Sequence, residues 1–380
     1  MTMRIVYNIA GFYRPAGMER VLADKASWLV RHGHEVTILT TEQKGRPYAF
    51  PLDDKIAVRD LGIGYEDNNG GSLWDKLVNY PAKQYRHLKT LKKVLQELKP
   101  DITVSMFCNE VNLVPRVQDG SRKILEVHFS RFKRQQYARA GLWGLVDKYR
   151  SRQDARLAAR YDRFVVLTEA DKANWSEVKN VTVIQNPICF HPSEQAPLDT
   201  KIVLAVGRLA YQKGFDRLLA AWGQIAAQVP EWTLVFAGDG ELRDELQAQA
   251  DRIGISDRIQ FAGNIRDIAS WYANASVVAL SSHYEGLPMV LLEAQAFGVP
   301  AVSFDCPCGP SEVIRDGENG FLVPEGNVDA LAAALLRIME NDEERIRMGQ
   351  NAFRDASRWD IEIIMPQWIQ LFEETSSSPR

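Results

Sequence analysis

Short apolar runs, separated by longer stretches of mixed polarity with helical patterning, punctuate this chain throughout. In the first half the runs fall at residues 4–9, 35–39, 102–106, 123–127, 164–167 and 181–184. In the second half they fall at 201–206, 232–237, 259–261, 275–280, 300–304 and 320–323. Short runs rich in aliphatic residues that alternate with helical segments predict parallel sheets assembled from right-handed β–α–β crossovers. Gly33 closes the first predicted helix, and Pro100 with Asp101 marks the entry to a strand. Two such series predict two Rossmann-like domains, residues 1–190 and 195–358, joined by a linker near 188–200 that follows Asn186 and Pro187. Residues 359–374 place Trp, Ile, Met and Leu at helical spacing and predict a further helix, so that 359–380 forms a third segment. Its serine-rich tail, 376–380, predicts disorder.

Composition bounds the class. A chain of 380 residues with 46% hydrophobic and 25% charged side chains suits a globular protein with two cores. No apolar run approaches the roughly 18 residues needed to cross a bilayer. The first strand follows the initial methionine so closely that no signal peptide is expected, which points to the cytoplasm. Four cysteines are too few for a disulfide framework, and Cys306-Pro307-Cys308 lacks the spacing and companions of a zinc site. The near-neutral total hides a division: residues 1–190 carry 31 Lys and Arg against 21 Asp and Glu, and the remainder 15 against 28. Within 131–163, ten cations face three aspartates among Phe132, Tyr137, Trp143, Tyr149 and Tyr161. A second basic segment, 83–99, carries Arg86, Lys89, Lys92 and Lys93. Charge runs are most often solvated helix faces. Cations interleaved with aromatic rings also suit an anionic membrane surface or a lipid-pyrophosphate ligand, and Arg131, Lys133, Arg134 and Arg139 are the candidate patch. Nucleic acid is not expected, because the chain carries no nucleic-acid-binding module.

The most informative local pattern is a pair of glutamates eight positions apart. Glu285 follows the apolar run 275–280 in His283-Tyr284-Glu285-Gly286-Leu287-Pro288, and Glu293 follows Val290, Leu291 and Leu292. Pro288 suits the first position of a helix, which puts Glu285 in the strand-to-helix turn and Glu293 within about two helical turns. Both carboxylates then lie at the carboxyl ends of the strands, where open α/β sheets bind ligands. Carboxylates beside unpaired helix N–H groups suit a ligand with both hydroxyls and phosphates. Upstream, Gly207-Arg208 and Lys213-Gly214 flank a turn after the run 201–206, a position from which both cations reach a phosphate. Each is an ordinary surface charge if taken alone.

These segments resemble the E-x7-E signature and the G-R-x4-K-G element of retaining GT-B glycosyltransferases, family 4. Gly238-Asp239-Gly240-Glu241-Leu242 resembles the family's G-x-G-x-L turn, and Gly309-Pro310-Ser311-Glu312-Val313-Ile314 with Asn319-Gly320-Phe321-Leu322-Val323 its C-terminal sequence. The resemblance implies an α/β GT-B architecture, two doubly wound Rossmann-like domains facing across a cleft, with the 359–374 helix crossing back to the N-terminal domain. It implies transfer of a hexose from a nucleotide sugar, UDP-linked in the first instance, to a glycan or polyprenyl-linked acceptor in cell-surface polysaccharide synthesis. By the same resemblance Glu285 receives sugar hydroxyls, Glu293 the ribose diol, and Arg208 and Lys213 the diphosphate. Gly207, Gly238, Gly286, Leu287 and Pro288 line the donor, with no N–H from the proline.

In the N-terminal half the resemblance is looser. Gly11 and Gly17 stand where the family usually has adjacent glycines, and G-x-G-x-x-G is absent, which argues against a dinucleotide oxidoreductase. His128, at the end of the run 123–127, is implied to approach the transferred sugar or the acceptor, with Thr168 and Glu169 as weaker acceptor-side candidates. No two aspartates stand in D-x-D spacing, so no metal or other cofactor is expected. The expected setting is the cytoplasm, with peripheral attachment to the inner leaflet. The alternatives are another GT-B nucleotide-sugar enzyme, an epimerase or hydrolase, or a two-lobed sugar-binding protein.

Overall fold

The computed structural model describes residues 2–68, 73–131 and 142–378. The chain divides into two compact units, Met1–Pro187 together with Ile361–Arg380, and Ile188–Asp360. The polypeptide therefore passes between them twice. Both ends of the second unit are tied to each other: the Ile188 N–H donates to the Trp359 carbonyl (2.8 Å), and Ile188 bridges Asp360. That pairing draws the whole 188–194 segment into the second unit and sets its far end at Asp360, not 358.

The first unit is a seven-stranded parallel sheet in the order β3-β2-β1-β4-β5-β6-β7. Its strands are β1 (Arg4–Ile9), β2 (Glu35–Thr40), β3 (Ala57–Asp60), β4 (Ile102–Ser105), β5 (Arg122–Glu126), β6 (Arg163–Val166) and β7 (Val181–Val183). Helices α1 (Gly17–Arg31), α2 (Leu73–Leu98), α3 (Leu142–Ala158) and α4 (Glu169–Asn174) supply the crossovers. Strand β3 is absent from the apolar pattern because it is an edge: Arg59 and Asp60 are exposed and only one flank is paired. One face of the sheet buries Val6, Leu39, Leu125 and Val127 against Leu91 and Leu95 of α2 and Trp175.

The second unit is a six-stranded parallel sheet in the order β10-β9-β8-β11-β12-β13. It comprises β8 (Ile202–Val206), β9 (Thr233–Ala237), β10 (Ile259–Gly263), β11 (Val277–Leu280), β12 (Ala301–Phe304) and β13 (Gly320–Val323). Seven helices accompany it: α5 (Phe215–Ile225), α6 (Arg243–Arg252), α7 (Ile268–Ala273), α8 (Met289–Ala296), α9 (Pro310–Val313), α10 (Val328–Glu340) and α11 (Asp342–Ala356). Its core stacks Leu204-flanking residues Val203 and Ala205 with Trp222, Phe236, Val302 and Leu335. In each sheet the strand order reverses once, between β1 and β4 and between β8 and β11, and ligands in such folds bind beyond the strand ends at that reversal.

Helix α12 (Ile361–Ser377) completes the first unit. It buries Ile364, Met365, Trp368, Leu371 and Phe372, and its Glu362 accepts a hydrogen bond from Trp28 Nε1 on α1 (2.9 Å). Ser376 and Ser377 remain helical rather than disordered. The Ser377 hydroxyl donates to the Glu373 carbonyl (2.9 Å), so the serines satisfy carbonyls at the end of the helix themselves. Residues 379–380 of the expected tail lie outside the described residues.

Candidate active site

In the second unit, the loops after β8 and β11 lie side by side at the reversal of strand order. The first holds Arg208 and Lys213, the second Glu285. They are joined by the Lys213 Nζ–Glu285 Oε1 ion pair (2.7 Å), by Ser281 Oγ donating to the Lys213 carbonyl (2.9 Å), and by the His283 N–H donating to the Gln212 carbonyl (2.8 Å). The rings of Tyr211 and His283 stack 4.3 Å apart across the same seam. Ser282 Oγ also donates to Glu285 Oε1 (2.6 Å). Both partners thus converge on one oxygen, and Oε2 receives no hydrogen bond from the described residues. Glu285 is buried to 7% exposure, which a carboxylate tolerates because it is paired and hydrogen-bonded.

Two glycines let these loops close up. A Cβ on Gly238, after β9, would strike the Gly207 carbonyl oxygen, so the turns after β8 and β9 touch backbone to backbone. Gly309, at φ 140°, brings the 305–309 loop against the second glutamate loop, where a Cβ would fall 2.5 Å from the Gly286 carbonyl oxygen and 2.7 Å from Pro288 Cδ. Cys306, buried there, has its thiol pushed up by burial and by the nearby Glu285 and Glu325 charges, so it stays protonated.

Pro288 is the N-cap of α8 rather than its first residue, one position from the expected place. Glu293, the fifth residue of α8, is buried and receives the Tyr272 hydroxyl on Oε2 (2.7 Å). The exposed Arg208 guanidinium makes no hydrogen bond or ion pair with the described residues, so the structure unites Lys213 with Glu285 but gives Arg208 no carboxylate.

The remaining candidates belong to the first unit. Gly11 lies in the turn after β1, where the Phe12 N–H donates to Gln43 Oε1 (2.8 Å), and Gly17 opens α1. His128 follows β5 by two residues, with Nε2 at 3.0 Å from Glu126 Oε1 but out of line for a full hydrogen bond. The Thr168 hydroxyl accepts the Asp171 N–H (3.0 Å) and caps α4, which is a structural use. Arg131 corrects an expectation. It is 9% exposed, forks onto Glu177 (Nη1–Oε2 2.5 Å) and lies 5.0 Å from the Trp175 ring, so it is spent inside the unit and offers nothing to a membrane. Its pairing with Glu177, 46 positions away, has no local sequence signal. Lys133, Arg134 and Arg139 lie outside the described residues.

Two adjoining family models match the chain: Glycosyltransferase Family 4 over residues 15–189 and Glycosyl transferases group 1 over residues 190–355. An uncharacterised glycosyltransferase of Haemophilus influenzae is 29% identical across 96% of this chain and 98% of its own length. The chain belongs to the GT-B glycosyltransferases. Another relative of this glycosyltransferase, 27% identical across 99% of the chain and all of the relative, is a Campylobacter jejuni α-1,4-N-acetyl-D-galactosaminyltransferase named for a diNAcBac-PP-undecaprenol-linked acceptor. Staphylococcus aureus TarM, solved with fondaparinux, α-GlcNAc-glycerol and UDP, shares the fold at a TM-score of 0.79 and 15% identity, over 98% of this chain and 100% of TarM.

The structure of the glycosyltransferase also adds residues that the motifs do not contain. Ser282 stands three positions before Glu285 in the same loop, close enough in sequence for its hydroxyl to reach the carboxylate. Tyr272 stands 21 residues from Glu293 on α7 and carries no such signal. Arg217 braces the glutamate loop from α5, donating to the Ser281 carbonyl (2.5 Å) and pairing with Glu325 (2.7 Å).

Proposed function

We propose that this glycosyltransferase moves a hexose from a UDP-sugar to a lipid-pyrophosphate-linked glycan in bacterial polysaccharide synthesis, with the anomeric configuration retained and without a metal. The observation that carries the reading is the pair of half-buried Lys213 and buried Glu285, held by Ser282 at the β8/β11 reversal. It places a fixed cation, a carboxylate with an open oxygen and the start of α8 within one pair of loops. A departing diphosphate gains charge as the glycosidic bond breaks, and a preorganised ammonium with Arg208 nearby in sequence answers that charge. Glu285 Oε2 then takes a sugar hydroxyl, and Glu293, steadied by Tyr272, the ribose. Gly207, Gly238, Gly286, Leu287 and Pro288 shape the donor bed.

The acceptor hydroxyl oxygen bonds to the anomeric carbon as the bond from that carbon to the diphosphate breaks, and the hydroxyl proton passes to a diphosphate oxygen. No protein base is required. His128, Gly11 and Gly17 are assigned to the sugar side in the first unit. The lipid-linked acceptor is supported by the name of the Campylobacter relative, and the metal-free step by the cations that stand in for one.

Transfer assays with a panel of UDP-hexoses, the product anomer read by NMR, test the reading. Retention with full activity in excess chelator is expected. An inverted product, or loss of activity with chelator, overturns it.

A further inference from the structure

Cations set against aromatic rings brace both units, and they differ in what they hold. In the first unit Lys25, on α1, and Glu126, at the end of β5, are 0% and 1% exposed, with Nζ at 2.6 and 2.8 Å from the two carboxylate oxygens. The Trp368 ring of α12 covers the ammonium at 3.4 Å, so this pair is closed on itself. In the second unit Arg345, on α11, is buried and donates to the carbonyls of Leu198, Ile338 and Met339. Two of those are orphan carbonyls of the last turn of α10, so Arg345 is a helix-end brace. Half-buried Arg217, the third residue of α5, holds something else.

Its guanidinium lies 4.5 Å from the Phe304 ring at the end of β12, pairs through Nη1 with Glu325 Oε1 after β13 (2.7 Å), and donates through Nη2 to the Ser281 carbonyl after β11 (2.5 Å). One side chain thus ties three adjacent strand ends to the start of α5. Ser281 is where this bears on the site. Its hydroxyl donates to the Lys213 carbonyl (2.9 Å), and its carbonyl oxygen would lie 2.3 Å from a Cβ on Gly214. Gly214 is left-handed as well, at φ 57°, so a side chain there is excluded twice over. The loops after β8 and β11 therefore interlock at Gly214 and Ser281. The residues next to that interlock, Lys213 on one side and Ser282 on the other, both reach Glu285 Oε1, at 2.7 and 2.6 Å. Main chain at the interlock sets how ammonium, hydroxyl and carboxylate meet, and Arg217 closes it from α5. Arg217 Nε, 2.9 Å from where a Gly214 Cβ would stand, is buried without a hydrogen bond among the described residues. An unpaired buried N–H costs free energy, so this side chain is placed for its two outer contacts.

We propose that Arg217 is a positioning residue for the transfer reaction: through the Ser281 carbonyl it fixes the glutamate loop against the Lys213 loop and so sets the Lys213–Glu285 geometry, while Glu325 holds the guanidinium in place. The proposal rests on the donor-site reading above.

Steady-state kinetics of the full-length protein, with the UDP-hexose that supports transfer in the panel, test it. Circular dichroism and thermal melting establish which variants are folded. Arg217→Met should lower kcat about tenfold or more with the KM for the UDP-hexose nearly unchanged, because small displacements of reacting groups act on the transition state. Arg217→Lys keeps the charge and one hydrogen bond to the Ser281 carbonyl, and should recover most of that loss. Added to Glu285→Gln, Arg217→Met should cost little more, since a residue that acts through Glu285 then has nothing left to position. Glu325→Gln, at an exposed position, should lower kcat severalfold and carries the comparison if Arg217→Met does not fold. A wild-type kcat in folded Arg217→Met overturns the proposal, and so does a wild-type kcat in Glu325→Gln if Arg217→Met cannot fold. Fully additive losses in the double variant overturn it too, because Arg217 then acts apart from Glu285. Wild-type activity in Glu285→Gln is the separate result that removes the donor-site reading, and this proposal with it.

Discussion

Glu285 and Lys213 neutralise each other in the described structure, and a diphosphate competes for the ammonium. The carboxylate must then rely on Ser282 and on the hydroxyls of the incoming sugar. Glu285→Gln keeps the shape and the Ser282 contact but removes the charge. It should lower kcat by about a hundredfold or more, within the range for lost transition-state electrostatics, while the melting temperature shifts little. Ser282→Ala removes one hydrogen bond to a charged group, about 1.5–3 kcal/mol, and should cost roughly tenfold to a hundredfold in rate. Tyr272→Phe should act on binding, raising the KM for the nucleotide sugar with kcat preserved, as read by initial rates. A Tyr272→Phe variant with intact KM would remove Glu293 from the ribose. At this scale the charged residues were legible because each group follows a strand closely, Arg208 and Lys213 after β8 and Glu285 and Glu293 after β11, although the pairing of Lys213 with Glu285 across 72 positions was not. Tyr272 and Arg217 were not, since tertiary packing alone brings them to the glutamate loop.

Strands declare themselves by burial, and elements whose faces both meet helices were therefore readable to within a residue or two. Strand β3 escaped because its exposed edge carries polar side chains, and the inward course of Arg131 escaped because its partners lie on α4 and beyond. Helix α2 shows how an element can be read as a charged face and still carry a core. His87, on its buried side, is 1% exposed and shares a hydrogen bond between Nδ1 and the Tyr65 hydroxyl (3.0 Å). Burial lowers its titration from the ordinary 6.5 to about 4. Between those values the unfolded chain binds a proton that the folded chain refuses, so stability falls as pH drops from 6.5 towards 4. The full interval corresponds to about 3 kcal/mol at most. Denaturant unfolding at several pH values should show this slope, and His87→Phe should flatten it between pH 6.5 and 4. A slope that survives the substitution would place the titration elsewhere.

On the scale of the whole chain, the basic balance of residues 1–190 remains to be placed. Lys83 and Arg86 are occupied with the carbonyls of Gly64 and Gly62, but Lys89, Lys92 and Lys93 are exposed on α2, and Tyr85 is 72% exposed. No helix among the described residues is long and apolar enough to cross a membrane. If this face meets an anionic surface, each engaged cation contributes roughly 1 kcal/mol and the attraction fades within a Debye length of about 10 Å at 0.1 M salt. Co-sedimentation with anionic vesicles should then exceed that with neutral ones, and should fall with salt and in a Lys89→Ser/Lys92→Ser/Lys93→Ser variant. Equal binding to both vesicle types would return this face to solvent. The position of α12 has a further consequence, for the order of events during synthesis. The helix that roofs Lys25 is made only after all of residues 188–360, which at about 5–20 residues per second takes roughly ten to thirty seconds. Until then the nascent first unit keeps its ion pair wet, where two charges are inexpensive, and Trp368 dries it last. A chain that ends before residue 361 thus contains all of the second unit but lacks the Trp368 ring that covers the Lys25–Glu126 pair, a difference that a protease or chaperone can read.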